Sequence, residues 1–174
     1  PSGKLPITME RRWEDRSSFS CYHDEDGDGR VQLTDGIFGG YRHVDRTGVA
    51  PRFAFGHGLG YSTFAYGKLR RAAARGKDGD TVKVELEIRN TGSRAGEEVV
   101  QLYVGQPKSR LPRPVRELKD FARVALEPGQ KKTVTFTLTP RHFRYFDPDC
   151  GSWVVEPGRY ILEAGGACAD LRSR

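Results

Sequence analysis

The densest group of potential metal ligands in the sequence is a short acidic loop. Asp24, Asp26 and Asp28 alternate with other residues, a glycine follows them, and Asp35 stands at the twelfth position of the pattern. Carboxylates at alternate positions, a central glycine and an acidic twelfth residue are typical of a calcium-binding loop. Such a loop normally joins two helices, and neither flank has a helical pattern. We therefore predict a solvated acidic loop, with a calcium-binding module as the alternative.

The other residues with catalytic potential stand apart from one another. His43, His57 and His142 are isolated in the sequence, and a lone histidine is usually a hydrogen-bonded structural residue. Asp147 and Asp149 flank a proline, so turn formation accounts for them. None of these residues is predicted to be catalytic.

The tryptophans and cysteines also favour structural roles. Trp13 and Trp153 are candidates for stacking on sugars, but Trp153 lies in a strand pattern, for which we predict burial in the core. Cys21, Cys150 and Cys168 lack the CxxC spacing of a zinc site. We predict buried or half-buried thiols, with a Cys150–Cys168 disulfide as the alternative.

The elements that would position these residues are mainly short strands. Val82, Val84, Leu86 and Ile88 alternate with charged residues, which indicates a strand with one buried face. Similar patterns recur, with turn signals between them, at 99–104, 124–126, 134–138, 153–155 and 160–162. About seven such strands match an antiparallel two-sheet sandwich in which these four apolar side chains face inward.

The first third of the chain has a different pattern. It contains one plausible strand, Leu5–Met9, and aromatic residues scattered among glycines, which interrupt regular structure. We predict a looping connector whose aromatic residues pack against another part of the protein. A basic stretch follows it and ends in a loop signal at Gly76–Asp80.

The net charge of +6 favours acidic partners only weakly. Basic residues form two clusters, the first at Arg70, Arg71, Arg75 and Lys77 and the second at Arg110, Arg113, Arg116 and Lys119. Both lack the interleaved aromatic residues of a single-strand binding surface, and we interpret them as solvated faces or linkers. No apolar run approaches the ~20 residues of a membrane span. We predict no nucleic-acid partner, no membrane contact and no cofactor, and the compartment stays open.

Six segments resemble the motifs of family 3 glycoside hydrolases. They follow one another in the family's order and span nearly the whole chain: Pro1–Thr8, Asp35–Arg42, Phe53–Phe64, Asn90–Val104, Arg113–Phe121 and Trp153–Gly158. The sequence departs from the family pattern at four positions. Leu33 replaces a common Tyr, Asp35 a Glu, Ala54 a Pro and Gly60 a Ser.

The resemblance implies a mainly β chain with two parts. Residues 1–64 would be the C-terminal tail of an α/β sandwich domain with its connector, and residues 65–174 a fibronectin type III-like, immunoglobulin-like antiparallel β-sandwich. Enzymes of this family cleave terminal β-linked sugars with retention, which requires two carboxyl groups. By resemblance, both lie in domains before Pro1, so we expect this chain to be a piece of a longer protein and inactive alone.

The resemblance also suggests roles for particular residues. Asp35, Tyr41 and Arg42 would lie in the neighbourhood of the parent's sugar site. Five residues would contact the preceding domain: Phe53, Phe55, His57, Tyr61 and Phe64. The expected partners are the upstream catalytic domains and, in the parent β-glucosidase, a β-linked glucoside or oligosaccharide. The alternative is a free-standing carbohydrate- or protein-binding sandwich.

Overall fold

The computed structural model describes residues 1–72 and 81–174 and has a mainly β fold. Its strands in chain order are β1 (Phe64–Tyr66), β2 (Arg70–Arg71), β3 (Val82–Asn90), β4 (Gly96–Gly105), β5 (Glu117–Leu126), β6 (Lys131–Leu138), β7 (Tyr145–Asp147), β8 (Ser152–Val154), β9 (Ile161–Ala167) and β10 (Asp170–Ser173). Their pairings are antiparallel, which confirms the predicted fold class. The predicted loop at Gly76–Asp80 lies outside the described residues.

The first sheet is built around β3. β1 and β2 follow one another along one edge of β3, and β6 pairs with the other edge, where Val84 lies opposite Phe136. Val84, Leu86 and Ile88 are buried and Val82 is partly buried. The predicted inward face of β3 is therefore confirmed.

The second sheet has the strand order β10-β9-β4-β5 and faces the first sheet across one apolar core. Alternate side chains of five strands fill this core: Val84, Leu86, Ile88, Val100, Leu102, Val104, Val124, Leu126, Val134, Phe136, Leu138 and Ala164. Burial of each large aliphatic or aromatic side chain contributes about 1.5–3 kcal/mol, so this core is the main source of stability.

An N-terminal segment, residues 1–63, lies against the second sheet with little regular structure of its own. The predicted strand Leu5–Met9 forms only an isolated bridge between Met9 and Phe53. Backbone hydrogen bonds of 2.8 Å also join Leu5 to Gly56 and to His57. The strand prediction is therefore wrong in extent, because residues 5–9 pair with one short loop and not with a sheet.

Helix α1 (Tyr41–Thr47) was not predicted. It follows Gly40 and ends at Thr47, and the next residue, Gly48, has the left-handed conformation (φ 72°) that is common at helix C-termini. Two 3₁₀ turns, Trp13–Asp15 and Phe19–Cys21, precede it. None of the helices in the described part of the chain has the length and apolarity that a membrane crossing requires.

The prediction that Trp153 is buried is wrong, because its side chain is 59% exposed. β7 and β8 pair with each other and form a hairpin outside both sheets. A short strand pattern does not reveal whether the strand joins a sheet. Trp153 therefore lies in a strand, but its side chain does not reach the core of the sandwich.

The three cysteines are free thiols. Cys168 is buried and Cys21 partly buried, whereas Cys150 is exposed at the tip of the β7–β8 hairpin. The disulfide alternative is therefore wrong, and so is the prediction of burial for Cys150.

Candidate functional site

Strand β4 is buried on both of its faces. Val100, Leu102 and Val104 join the sandwich core, and Gln101 and Tyr103 on the opposite face are also buried. One face of an antiparallel sheet commonly remains in contact with water. Here the N-terminal segment covers the second face. It forms a third layer of the fold, next to the two sheets. We call this contact the docking interface.

Tyr41 at the start of α1 is the centre of the docking interface. Its ring centroid lies 5.2 Å from that of Phe55 and 6.0 Å from that of Tyr103. The backbone N–H of Leu118 donates a 3.0 Å hydrogen bond to the Tyr41 hydroxyl oxygen. The backbone N–H of Cys168 donates to the carbonyl of Phe55 at 3.1 Å. Aromatic packing and backbone hydrogen bonds thus hold the segment to the sheet.

Burial sets the protonation state of two groups in the middle of this interface. It raises the pKa of the Tyr103 phenol, whose hydroxyl donates to the side-chain oxygen of Gln101. It also raises the pKa of the Cys168 thiol to about 11. Both groups therefore remain protonated at neutral pH, and Cys168 is a packing residue and not a nucleophile.

A cluster of charges surrounds Glu117 at one end of the docking interface. Its carboxylate lies 3.3 Å from Arg42, 3.1 Å from Arg113 and 3.2 Å from Lys119. Burial alone would raise the pKa of Glu117, but the three cations together hold it below the ordinary value. Because Arg42 belongs to α1 and the others to the sandwich, Glu117 joins the two layers.

Arg116 makes a second ionic link between the layers. It lies 3.1 Å from Asp45 of α1 and 3.3 Å from Glu163 of β9. Burial raises the pKa of Asp45, against the attraction of Arg116 and with a further contribution from the nearby Glu163. Arg116 therefore compensates two partly buried carboxylates at once.

The first residues of the chain complete the docking interface. Lys4 Nζ lies 3.0 Å from the carboxylate of the buried Glu98 on β4. Gly56 has φ +82°, and a β-carbon there would collide with the amide of Gln101. The backbone of the segment therefore approaches β4 closely only because residue 56 is glycine.

The residues proposed for the sugar-site neighbourhood separate into two places. Asp35 and Tyr41 line one cleft of about 670 Å³ with Trp13, and Ser17 Oγ donates a 2.9 Å hydrogen bond to Asp35. Arg42 lines a different groove, next to Glu117. Tyr41 and Arg42 thus make docking contacts, and their part in a sugar site remains a prediction.

The residues predicted to contact a preceding domain have different surroundings. Phe55 packs in the docking interface and Phe64 against the sandwich core. The rings of Phe53 and His57 lie 5.1 Å apart, and Phe53 is 38% exposed. Tyr61 is 76% exposed. Contact with a preceding domain remains a prediction for all five.

The acidic loop brings three of its four predicted calcium ligands together. Oxygen atoms of Asp24, Asp26 and Asp28 lie within 4.8 Å of one another, and all three residues are exposed. Asp24 and Asp28 accept hydrogen bonds from backbone N–H groups of the same loop. Asp35 instead bonds to Ser17. Backbone N–H groups of the loop thus satisfy these carboxylates, and calcium binding remains the alternative prediction.

The ionic contacts between α1 and the sandwich were not predicted from the sequence. The side chains of Arg113 and Arg116 are only 6% and 20% exposed, so the interpretation of their cluster as a solvated face or linker is wrong. The available signal was the close mixture of basic and acidic residues around Glu117, next to Pro114 and Val115. It did not reveal that the partners lie in α1.

Family and structural comparisons agree with this architecture. Residues 98–168 match the fibronectin type III-like domain model. The thermostable β-glucosidase B of Acetivibrio thermocellus is 40% identical over 171 residues, which are 98% of this chain and 22% of that protein. The β-glucosidase BoGH3A of Bacteroides ovatus is 37% identical over 99% of the chain and 23% of its own length.

Solved structures match the N-terminal segment as well as the sandwich. The β-glucosidase 3B of Thermotoga neapolitana, solved with glucose, has a TM-score of 0.86 and 38% identity over 99% of this chain and 24% of its own. The family 3 β-glucosidase of Bifidobacterium adolescentis has a TM-score of 0.90 and 35% identity over 99% and 25%. The chain thus spans about a fifth to a quarter of each relative's length. In sequence and fold it corresponds to the C-terminal region of family 3 β-glucosidases, which includes their fibronectin type III-like domain.

Proposed function

We propose that this chain is the accessory module of a β-glucosidase-type retaining glycoside hydrolase, and that it steadies the domains that carry the catalytic carboxylates. The observation that carries this proposal is the docking interface. The N-terminal segment covers the outer face of β4 and contributes Tyr41, Arg42 and Asp45 to the contact. A sandwich held in this way has a fixed orientation relative to the chain that leads into it.

The free surface of the N-terminal segment supports contact with further protein. Several large apolar side chains there are between 38% and 79% exposed, namely Ile7, Met9, Trp13, Leu33, Phe53, Leu59 and Tyr61. Exposed apolar surface of this extent commonly marks an interface. We propose that residues 1–64 complete a preceding domain and that residues 65–174 form the accessory sandwich.

The reaction of the whole enzyme follows from retaining chemistry. One carboxylate attacks the anomeric carbon, and a second carboxyl group protonates the leaving oxygen, at a separation of ~5–5.5 Å. We propose that both groups belong to the preceding domains and that the substrate is a β-linked glucoside or oligosaccharide. The support is that the relatives matched over nearly the whole chain are β-glucosidases.

A chimera tests this proposal. The matching stretch of the thermostable β-glucosidase B is replaced by this chain, and hydrolysis of an aryl β-glucoside is compared among parent, deletion and chimera. We expect the deletion to lose activity and the chimera to regain it. A second chimera with Tyr41→Ala and Glu117→Gln should inactivate at a lower temperature, because both docking contacts are weakened. Full activity in the deletion would contradict the proposal.

A further inference from the structure

A groove of about 810 Å³ separates the N-terminal segment from the β7–β8 hairpin. Ile37 and Arg42 line it on one side, and Phe146 and Trp153 of the hairpin on the other. This volume lies within the ~300–1,000 Å³ range of small-molecule sites. The groove lies beside the docking interface, and the docking role makes no use of its two aromatic side chains.

The aromatic wall of the groove is open to solvent. Trp153 is 59% exposed and Phe146 is 49% exposed, and their ring centroids lie 5.8 Å apart in an edge-to-face arrangement. The guanidinium of Arg144 lies 5.0 Å from the Trp153 ring centroid and stiffens its position. Two neighbouring exposed aromatic rings offer the apolar surface that the C–H face of a sugar ring requires.

The charge of the groove is strongly positive. Of the described residues that line it, five are arginine or lysine and one, Glu117, is a carboxylate. The cations at Arg42, Arg113 and Lys119 already share Glu117. Arg141 is exposed, and Arg144 lies over the indole ring. The excess of guanidinium groups favours an anionic ligand, because their forked N–H donors match a carboxylate.

We infer that this groove binds an acidic saccharide, a sugar chain whose rings carry carboxylate groups. The sugar rings pack against Trp153 and Phe146, and a carboxylate pairs with Arg141 at the rim. The choice of a sugar among anionic ligands rests on the proposed function. The groove itself rests on the geometry of this chain.

Calorimetry on the whole purified chain tests the inference with two matched probes. Cellotetraose supplies the neutral sugar, and cellotetraose oxidised at C6 supplies the same backbone with carboxylates. We expect the oxidised probe to bind at least ~10-fold more tightly at low salt, an advantage that shrinks as salt rises. Equal affinity for the two probes, or binding of neither, overturns the inference.

Variants assign the binding to the groove. Trp153→Ala should weaken both probes by ~10-fold or more, since the aromatic contact is common to them. Arg141→Gln should weaken only the oxidised probe. Trp13→Ala, a tryptophan outside the groove, is the control, and Phe146→Ala serves if Trp153→Ala does not fold. Wild-type affinity in both hairpin variants overturns the inference. Because binding is measured on this chain and hydrolysis on the chimera, the two proposals fail separately.

Discussion

At Gly56, the backbone conformation and a neighbouring side chain both exclude a β-carbon. The φ of +82° disfavours any other residue, and the amide of Gln101 occupies the space that a methyl group would need. We expect Gly56→Ala to lower the free energy of unfolding by about 2–4 kcal/mol, because backbone strain and a clash add together. Denaturant unfolding of the two proteins measures the difference.

Gly129 provides the matched control for Gly56. Its φ is +75°, but no heavy atom lies within 4 Å of a β-carbon built there. Gly129→Ala should therefore lower the free energy of unfolding through backbone strain alone, by about 1–2 kcal/mol. Equal losses in the two variants would mean that the contact between residue 56 and Gln101 does not limit docking.

Trp153 should contribute little to stability despite its size. Because its side chain is 59% exposed, we expect Trp153→Ala to change the free energy of unfolding by less than about 1 kcal/mol. Phe136→Ala, at a core position only 2% exposed, should cost about 3–5 kcal/mol. Thermal melting of both variants decides the matter, and a loss at Trp153 as large as that at Phe136 would show that the indole is covered.

Strands in which apolar and charged residues alternate could be predicted from the sequence. Elements whose burial depends on a distant part of the chain could not. β3 alternates apolar and charged residues from Val82 to Arg89, and its inward face is as predicted. β4 has burial on successive residues from Val100 to Gly105, because the N-terminal segment covers its second face. The residues that bury this second face are distant in sequence. The short helix α1 has no apolar stripe from which the contact could have been predicted.

The contact of α1 with β5 should depend on pH through Glu117. The cations around Glu117 hold its pKa below the ordinary value against the effect of burial. The ionised carboxylate therefore stabilises the fold above the ordinary glutamate pKa of about 4.3. This contribution is lost as pH falls through the lowered value. We expect Glu117→Gln to cost about 1–3 kcal/mol at neutral pH and progressively less in acid.

Urea unfolding of Glu117→Gln across the acid range measures this effect, with Glu87→Gln as the control. Glu87 pairs with Lys131 on the solvent-facing side of the first sheet, where both side chains are about half exposed. Such a pair contributes less than about 1 kcal/mol. Asp45 acts in the opposite direction, because burial raises its pKa and its ionisation opposes folding as pH rises. A pH-independent loss in Glu117→Gln would contradict the proposed charge cluster.

For the whole molecule, we expect no hydrolysis of aryl β-glucosides by the chain alone. The carboxylates of Asp24, Asp26 and Asp28 lie close together, but all three are exposed in the acidic loop. They do not lie in an apolar pocket, which a carboxyl group needs in order to act as a catalytic acid at neutral pH. A release assay should give the buffer rate for the wild type and for Asp35→Asn. Turnover above buffer that disappears in Asp35→Asn would make this chain an enzyme in its own right.

The docking interface also sets an order in time during synthesis. The carbonyl of Phe55 accepts its hydrogen bond from Cys168, so the segment meets its final partner only after most of the chain has been made. At ~5–20 residues per second, the ribosome needs roughly 6–23 s for the residues between them. Tyr103 and Leu118, the partners of Tyr41, are made earlier, but the hydrogen bond of Phe55 cannot form until this delay has passed. The docking interface is therefore completed late in synthesis, and we expect slower translation to lengthen the time for which the segment is only partly covered.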